Sequence, residues 1–278
     1  MENKNIILDA YKKKYAIPHF NFDSLQMAKF ILEECQRLKS PVFLAVSTNA
    51  VKYIGGYLTV KNIVSSLIKD LNITIPVILH LDHAKNIEEC IKAIDVGFDS
   101  IMLDLSSMPL DENIEGLKKL RDYNKNILLE CEVGAIGRNG NEGIMYADIN
   151  DCLKIKNSVN IDMLAPAIGT VHGLYKGEQN INVSLLEKIN ETLKIPLVLH
   201  GGSETKEEIL KNCIKNGIIK VNINTSLKIA WKKGVKEYMD NYPNELDYRK
   251  YIQNAEKYIK KTIEEHILLF GSNNKCGE

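Results

Sequence analysis

Short apolar runs alternate with longer amphipathic segments along almost the whole chain. Each run is bounded by Gly, Pro, Asn or Asp and is too short for a helix, so a strand is favoured. The predicted strands are 16–20, 42–46, 76–81, 100–103, 127–131, 161–165, 196–199 and 218–221.

The segments between these runs have helical spacing. In 86–96, for example, Ile87, Ile91 and Ile94 recur at i, i+4 and i+7 and share one face. The other predicted helices are 24–38, 60–71, 111–123, 184–193, 205–216 and 226–238. One more helical segment, 248–270, follows the eighth strand, where we expect it to serve packing or oligomer contact.

Eight strands alternating with helices predict an α/β protein with a closed (β/α)8 TIM barrel and an extra C-terminal helical segment. The alternative is an open doubly wound sheet, but no Gly-x-Gly-x-x-Gly turn follows the first strand. The length of 278 residues suits such a barrel, which typically has about 250. Because no linker or low-complexity stretch interrupts the pattern, we expect residues 1–278 to form a single domain.

The balance of acidic and basic residues argues against nucleic acid or a membrane surface as a binding partner. The chain has 36 basic and 36 acidic residues, whereas proteins that bind nucleic acid or membrane surfaces usually carry a basic excess. Its six cysteines are scattered without a Cys-x-x-Cys pair, which predicts reduced thiols and a cytoplasmic location. No run of about 18 apolar residues and no apolar signal core occurs.

Polar, titratable or glycine residues follow six consecutive predicted strands. In barrel enzymes the reactive groups lie at the carboxyl ends of the strands, so these residues are expected to meet at one face. They are His80 to His83, Asp104 with Ser106, Glu130 with Glu132, Gly169 to Gly173, His200 to Ser203, and Asn222 to Thr225.

Four of the six histidines lie at these strand ends, namely His80, His83, His172 and His200. Three imidazoles with an open fourth position are typical of a catalytic zinc site, whereas structural zinc normally has four protein ligands. The other two are weaker candidates, because His19 only approaches the end of the first strand and His266 lies in the tail helix.

The glycines predict a second feature. Gly201-Gly202-Ser203 directly precedes a predicted helix that begins near Thr205, and backbone N–H groups exposed at such a turn suit a phosphate. Gly173 and residues 222–225 would close the same cradle, since the loops after the last two strands of this fold often bind phosphate.

With these residues in place, the chain resembles the class II, zinc-dependent ketose-bisphosphate aldolases, which act on fructose or tagatose bisphosphate. The matching blocks are HLDH at 80–83, GFDSIMLDLS at 97–106, ECEVG at 130–134, LAPAIGTVHGLYKGE at 164–178, PLVLHGGS at 196–203 and KVNINTS at 220–226. The resemblance implies reversible aldol cleavage of a ketose 1,6-bisphosphate, foremost fructose 1,6-bisphosphate, to dihydroxyacetone phosphate and glyceraldehyde 3-phosphate.

The resemblance also implies roles for individual residues. The expected ligands of a catalytic Zn2+ are His83, His172 and His200, and those of a second or displaced metal ion are Asp104 and Glu132. Asp82 is expected to exchange the proton of the C4 hydroxyl. The expected substrate contacts are Ser47, Gly173, Gly201, Gly202, Ser203, Asn222, Asn224, Thr225 and Arg249, with Arg249 reaching the distal phosphate across a subunit interface. A monovalent cation (Na+ or K+) near the phosphate and a homodimer or homotetramer are further expectations.

Two positions depart from the family pattern. Ala84 stands where the family usually has glycine, and a backbone that required positive φ there would be strained by alanine. The loop after Gly134 is short, and its only acid is Glu142. Glu142 is therefore the candidate for the family's second proton-transfer carboxylate, or else a solvated loop residue.

Three alternatives remain open. A tagatose 1,6-bisphosphate aldolase is the nearest, although Asn224 favours fructose because tagatose enzymes tend to have a smaller residue there. A Schiff-base aldolase using Lys220 is mechanistically different and leaves the three histidines unexplained. A non-catalytic phosphosugar-binding relative is supported only by the short loop.

Overall fold

The computed structural model describes residues 3–138, 145–173 and 180–276. Its main sheet is a closed barrel of eight parallel strands, in which β1 pairs with both β2 and β8. The strands are β1 (Ile17–Asn21), β2 (Val42–Ser47), β3 (Val77–Ala84), β4 (Ser100–Leu103), β5 (Leu128–Val133), β6 (Met163–Pro166), β7 (Leu197–Leu199) and β8 (Ile218–Ile223). The predicted TIM barrel is therefore confirmed, with strand boundaries shifted by at most three residues.

Helices surround the barrel. They are α1 (Asn3–Lys13), α2 (Leu25–Arg37), α3 (Thr48–Ile54), α4 (Tyr57–Asp70), α5 (Ile87–Asp95), α6 (Leu110–Tyr123), α7 (Ile149–Ser158), α8 (Val183–Leu193), α9 (Glu207–Lys215), α10 (Thr225–Asn241) and α11 (Tyr248–Phe270). Two short strands, Gly137–Arg138 and Val171–His172, pair outside the barrel, and a 3-10 helix covers Gly202–Glu204. The helix α11 has the bounds predicted for it.

Three helices were not predicted, α1, α3 and α7. The helix α3 has only seven residues and buries only Val51, so it shows no helical period in the sequence. The helix α1 buries Ile6 and Ile7 in a cluster with apolar residues from the first halves of the strands, so it closes the amino-terminal end of the barrel.

The tail helix α11 packs against the outside of the barrel. Its buried face runs along Ala255, Ile259, Ile263, Ile267 and Phe270 at helical spacing. A hydrogen bond of 3.0 Å from the Ala16 amide to the Phe270 carbonyl joins its end to the start of β1. Across the described ranges, no helix combines the length and apolar character needed to cross a membrane.

The barrel interior changes character from one end to the other. Near α1 it is apolar, with Phe43, Ile78 and Ile219 among its side chains. Toward the carboxyl ends of the strands it becomes polar, and His19, His80, Glu130 and Lys220 are fully buried there. Since buried polar groups need partners, this half of the barrel must be organised as a hydrogen-bonded network.

Candidate active site

A cavity of about 580 Å³ opens at the carboxyl ends of the strands. It is lined by Asn21, Ser47, Thr48, Asn49, Asp82, His83, Lys85, Val171, His172, Gly173, Gly201, Ser203, Asn222, Asn224, Thr225 and Lys228. Of the six strand ends predicted to meet at one face of the barrel, those of β3, β6, β7 and β8 therefore contribute residues to this cavity wall.

A bulge in β3 turns two consecutive residues toward this cavity. Leu81 pairs with Ile101, and the next pair is Ala84 with Leu103. Between these two pairs β3 therefore contains one residue more than β4. The extra residue interrupts the alternation of side chains, and Asp82 and His83 both line the cavity. The positive φ of 52° belongs to His83, whereas Ala84 has no positive φ. Alanine at position 84 is therefore not strained by a positive φ.

Three histidine rings converge beside Asp82. The ring centroids of His83 and His200 lie 4.7 Å apart, and those of His172 lie 5.1 Å from His83 and 5.6 Å from His200. One nitrogen from each ring lies within 4.8 Å of the others, which is a spacing suited to one shared metal ion. His83 Nε2 and His200 Nδ1 are 2.9 Å apart.

Two of these histidine rings each contact a carboxylate through one ring nitrogen. His83 Nδ1 lies 2.8 Å from Asp104 Oδ2, and His200 Nε2 lies 2.9 Å from Glu130 Oε1. Such partners fix the tautomer and ring orientation of a metal-binding histidine. Burial lowers the pKa of His83, but the carboxylates of Asp82 and Asp104 outweigh it and raise that pKa. Burial dominates at His200, whose pKa is lowered.

A buried ion pair stands behind His200. Lys220 Nζ lies 2.8 Å from Glu130 Oε2, and both side chains are fully buried. Burial raises the pKa of Glu130, but Lys220 and the hydrogen bond with His200 hold it well below its usual range. The register between β8 and β7 shifts between Ile218 and Lys220. The sequence predicted neither the pair nor its contact with His200.

Asp82 is held by amides of two other strands. Asn21 Nδ2 donates to Asp82 Oδ2 at 2.9 Å, and Asn222 Nδ2 lies 3.5 Å from Oδ1. His19 Nε2 is 3.6 Å from the same carboxylate. Burial raises the pKa of Asp82, but His19 and His83 outweigh it and hold that pKa well below its usual range. The group is therefore an ionised carboxylate beside the three histidines.

A second potential metal-binding group lies next to the first. His83, Asp104 and Glu132 offer ligand atoms within 4.8 Å of one another. Ser106 Oγ donates to Asp104 Oδ1 at 2.6 Å and lies 3.2 Å from Glu132 Oε1. Burial, and then the charge of Asp104, raise the pKa of Glu132 to about 7.

The glycine-rich turn forms the opposite wall. Gly201 has a φ of 70°, and a Cβ built on it would lie 2.5 Å from the Val171 carbonyl oxygen, so only glycine fits. Ser203 Oγ accepts from the amides of Asn224 at 3.3 Å and Ser226 at 3.4 Å. The helix predicted near Thr205 in fact begins at Glu207, after the 3-10 helix. The helix that begins at the cavity wall is instead α10.

The predicted site residues fall into three groups. Ten line the cavity: Ser47, Asp82, His83, His172, Gly173, Gly201, Ser203, Asn222, Asn224 and Thr225. Asp104, Glu132, His200 and Gly202 lie directly behind these. Arg249 does not reach the cavity of its own chain, because its exposed guanidinium is bonded to Asp247 at 2.8 Å. Glu142 lies outside the described residues.

Several cavity residues were not predicted. Asn21 ends β1, where the strand-end rule could have found it, and Asn49 follows the end of β2. Lys228 lies one helical turn after Thr225, and Lys85 follows β3 directly. These two lysines carry the positive charge of the described cavity wall.

A parallel barrel with convergent histidines and a carboxylate at its carboxyl end defines a metal-binding barrel enzyme. Comparison with known proteins makes this specific, because residues 1–275 match the family "Fructose-bisphosphate aldolase class-II". The chain belongs to the class II fructose-bisphosphate aldolase family. It is an aldolase, a carbon–carbon lyase of a metal-dependent family that acts on phosphosugars.

Individual relatives agree with this assignment. The fructose-bisphosphate aldolase of Staphylococcus epidermidis is 39% identical over 279 residues, which cover 98% of each chain. That of Geobacillus stearothermophilus is 40% identical over 281 residues, covering 99% of this chain and 98% of the relative. Among solved structures, the YdjI aldolase of Escherichia coli K12 superposes with a TM-score of 0.86 at 29% identity, covering 99% of this chain and 98% of that one.

Proposed function

We propose that this chain is a zinc-dependent aldolase that reversibly cleaves fructose 1,6-bisphosphate to dihydroxyacetone phosphate and glyceraldehyde 3-phosphate. The observation that carries the proposal is the convergence of His83, His172 and His200 beside the ionised Asp82. The names of the relatives support fructose bisphosphate as the substrate.

The residues fit a zinc ion. The donor set consists of three imidazoles, two of which are oriented by buried carboxylates through their second nitrogens. We propose His83, His172 and His200 as the zinc ligands. When bound there, zinc supplies Lewis acidity to the carbonyl and hydroxyl oxygens of the substrate and stabilises the negative charge formed during cleavage.

Asp82 is the proposed general base. Cleavage of the C3–C4 bond requires removal of the proton from the C4 hydroxyl, and an ionised carboxylate at the cavity wall can accept it. The amides of Asn21 and Asn222 hold the carboxylate in one orientation while leaving it charged. Glu142 remains the proposed second proton-transfer group.

The other wall of the cavity suits the phosphate groups. We propose that the turn at Gly201 to Ser203 and the start of α10 at Asn224 and Thr225 bind one phosphate through backbone N–H groups. Lys228 forms no ion pair with any residue in the described ranges, so its ammonium is available to a second anionic group. A monovalent cation near the first phosphate belongs to the same proposal.

The buried position of Lys220 argues against a Schiff-base mechanism. Its ammonium is fully buried, bonded to Glu130 and absent from the cavity wall, so a substrate carbonyl in the cavity has no direct path to it. The non-catalytic alternative depends on the loop that contains Glu142, and turnover measurements decide it.

We further propose a cytoplasmic homo-oligomer in which residues 1–278 form one domain. The segment joining α10 to α11 exposes large apolar side chains, including Leu246 at 92% and Tyr242 at 56%. Such a patch supports contact with another copy of the chain. Arg249 lies beside it and is proposed to serve the cavity of that neighbouring copy. The six cysteines are free thiols, which supports a reducing location.

Metal removal and restoration test the proposed function. Protein stripped with a chelator should lose cleavage of fructose 1,6-bisphosphate and regain it with Zn2+, while tagatose 1,6-bisphosphate should be cleaved more slowly. His172→Ala should bind less zinc, whereas the matched control His266→Gln, changed in α11, should retain both zinc and activity. Zinc binding without cleavage of either sugar would favour the non-catalytic alternative, and cleavage unaffected by chelation would refute the proposed mechanism.

A further inference from the structure

Two buried carboxylates lie beside the three histidines and need positive charge. Asp104 and Glu132 are 3% and 4% exposed, and both belong to a group that could hold a metal ion with His83. Glu132 Oε2 is buried and accepts no hydrogen bond from any part of the chain that the structure describes. Two buried carboxylates this close together would be costly without a neighbouring positive charge.

Lys85 places a positive charge on this pair. Its ammonium bonds to Asp104 Oδ2, the same oxygen that lies 2.8 Å from His83 Nδ1. Because Lys85 follows β3 directly, the barrel fixes its backbone next to the end of β4, where Asp104 lies. Asp104 is almost fully buried, whereas the lysine side chain is 50% exposed and extends along the cavity wall.

We propose that Lys85 takes the place of a second divalent cation at Asp104 and Glu132, so that the chain holds one metal ion per site, at the three histidines. This inference rests on the proposed metal site of the preceding subsection. A divalent ion that binds Asp104 Oδ2 must first displace the Lys85 ammonium. Because the ammonium belongs to the same chain, its effective concentration at Asp104 is high.

The size of this competition follows from the bond that is broken. A hydrogen bond between two charged groups is stronger than one between neutral groups, and its loss corresponds to about a tenfold change in an equilibrium constant. Because Lys85 is half-exposed, a second ion is expected to bind at high metal concentration. Its affinity should rise by about tenfold when the ammonium is removed.

The experiment separates the two positions by their preferred metals. Metal-free protein is first loaded with one equivalent of Zn2+ and then titrated with Mn2+, which prefers carboxylate oxygen, while electron paramagnetic resonance measures free Mn2+. Lys85→Met should bind Mn2+ about tenfold more tightly than the unmodified chain. Lys85→Arg should behave like the unmodified chain, since it retains the charge.

Two further variants serve as controls. Lys52 is an exposed lysine whose ammonium lies 3.8 Å from Glu89, and Lys52→Met should leave Mn2+ binding unchanged. Adding Glu132→Gln to Lys85→Met should abolish the gain, because the second carboxylate ligand is lost. Circular dichroism establishes that each variant is folded before titration.

The outcomes are distinct. Equal Mn2+ affinity in Lys85→Met and the unmodified chain overturns the inference, as does tight binding of a second ion by the unmodified chain. If one equivalent of Zn2+ fails to bind in the first step, the proposed metal site fails and the inference falls with it. A gain confined to Lys85→Met supports it.

Discussion

The buried ion pair behind His200 allows a sharp prediction. Lys220→Met removes a fully buried ammonium but retains a flexible side chain of similar length. In the unmodified chain the Lys220 ammonium lies 2.8 Å from Glu130 Oε2. In the variant, Glu130 keeps only its hydrogen bond with His200, and its negative charge is buried without a neighbouring cation. The folded state should therefore be strongly destabilised.

The magnitude can be estimated from buried ion pairs in other proteins. Removing one partner and leaving the other charged costs about 3–5 kcal/mol. A chain of 278 residues unfolds with an entropy of about 0.6 kcal/mol per kelvin. We therefore expect the Tm of Lys220→Met to fall by about 5–8 °C.

Thermal denaturation of metal-free protein measures this change without a contribution from metal binding. Lys211→Met is the matched control, because Lys211 lies 3.6 Å from Glu207 in an exposed pair, and such pairs contribute less than about 1 kcal/mol. The double variant Lys220→Met with Glu130→Gln should recover most of the lost stability, since it removes both charges and keeps an oxygen that can accept from His200.

The two variants together decide the matter. A Tm of Lys220→Met within about 2 °C of the unmodified chain would show that Glu130 does not depend on the lysine for its charge balance. A double variant less stable than Lys220→Met would equally refute the reasoning, because it would mean that packing rather than charge accounts for the loss.

Three other predictions concern the cavity. Asp82→Asn should lower kcat by about 10²- to 10⁴-fold with zinc content unchanged, because it removes the proposed base but no proposed zinc ligand; a loss of zinc would contradict this. Gly201→Ala should lower the Tm by about 2–5 °C and raise KM, because its Cβ would lie 2.5 Å from the Val171 carbonyl oxygen; an unchanged Tm would exclude the close approach. Arg249→Ala should raise the KM for the bisphosphate about tenfold while dihydroxyacetone phosphate binding stays the same, and an equal loss for both ligands would refute the assignment to the distal phosphate.

The sequence alone was sufficient for the barrel and for most of the cavity wall. Strand runs and helical faces have different periods, so eight alternations could be counted without knowledge of any contact. Parallel strands in a barrel share one carboxyl end, which is why residues as distant in the chain as His83 and His200 could be predicted to meet. The seven-residue helix α3, with one buried side chain, left no such period.

Other features depended on register, which a single strand does not encode. The bulge in β3 arises from its pairing with β4, and only that pairing shows how Asp82 and His83 face the same cavity. The positive φ of this segment belongs to His83 and not to Ala84, which the sequence did not show.

The buried charges were likewise decided by tertiary structure. Lys220 and Glu130 lie on β8 and β5, and their side chains meet inside the barrel. Lys85 and Asp104 meet because β3 and β4 end side by side. A sequence shows which charged residues are present, but their energies depend on burial and on distances of a few ångströms, and only the folded chain determines both.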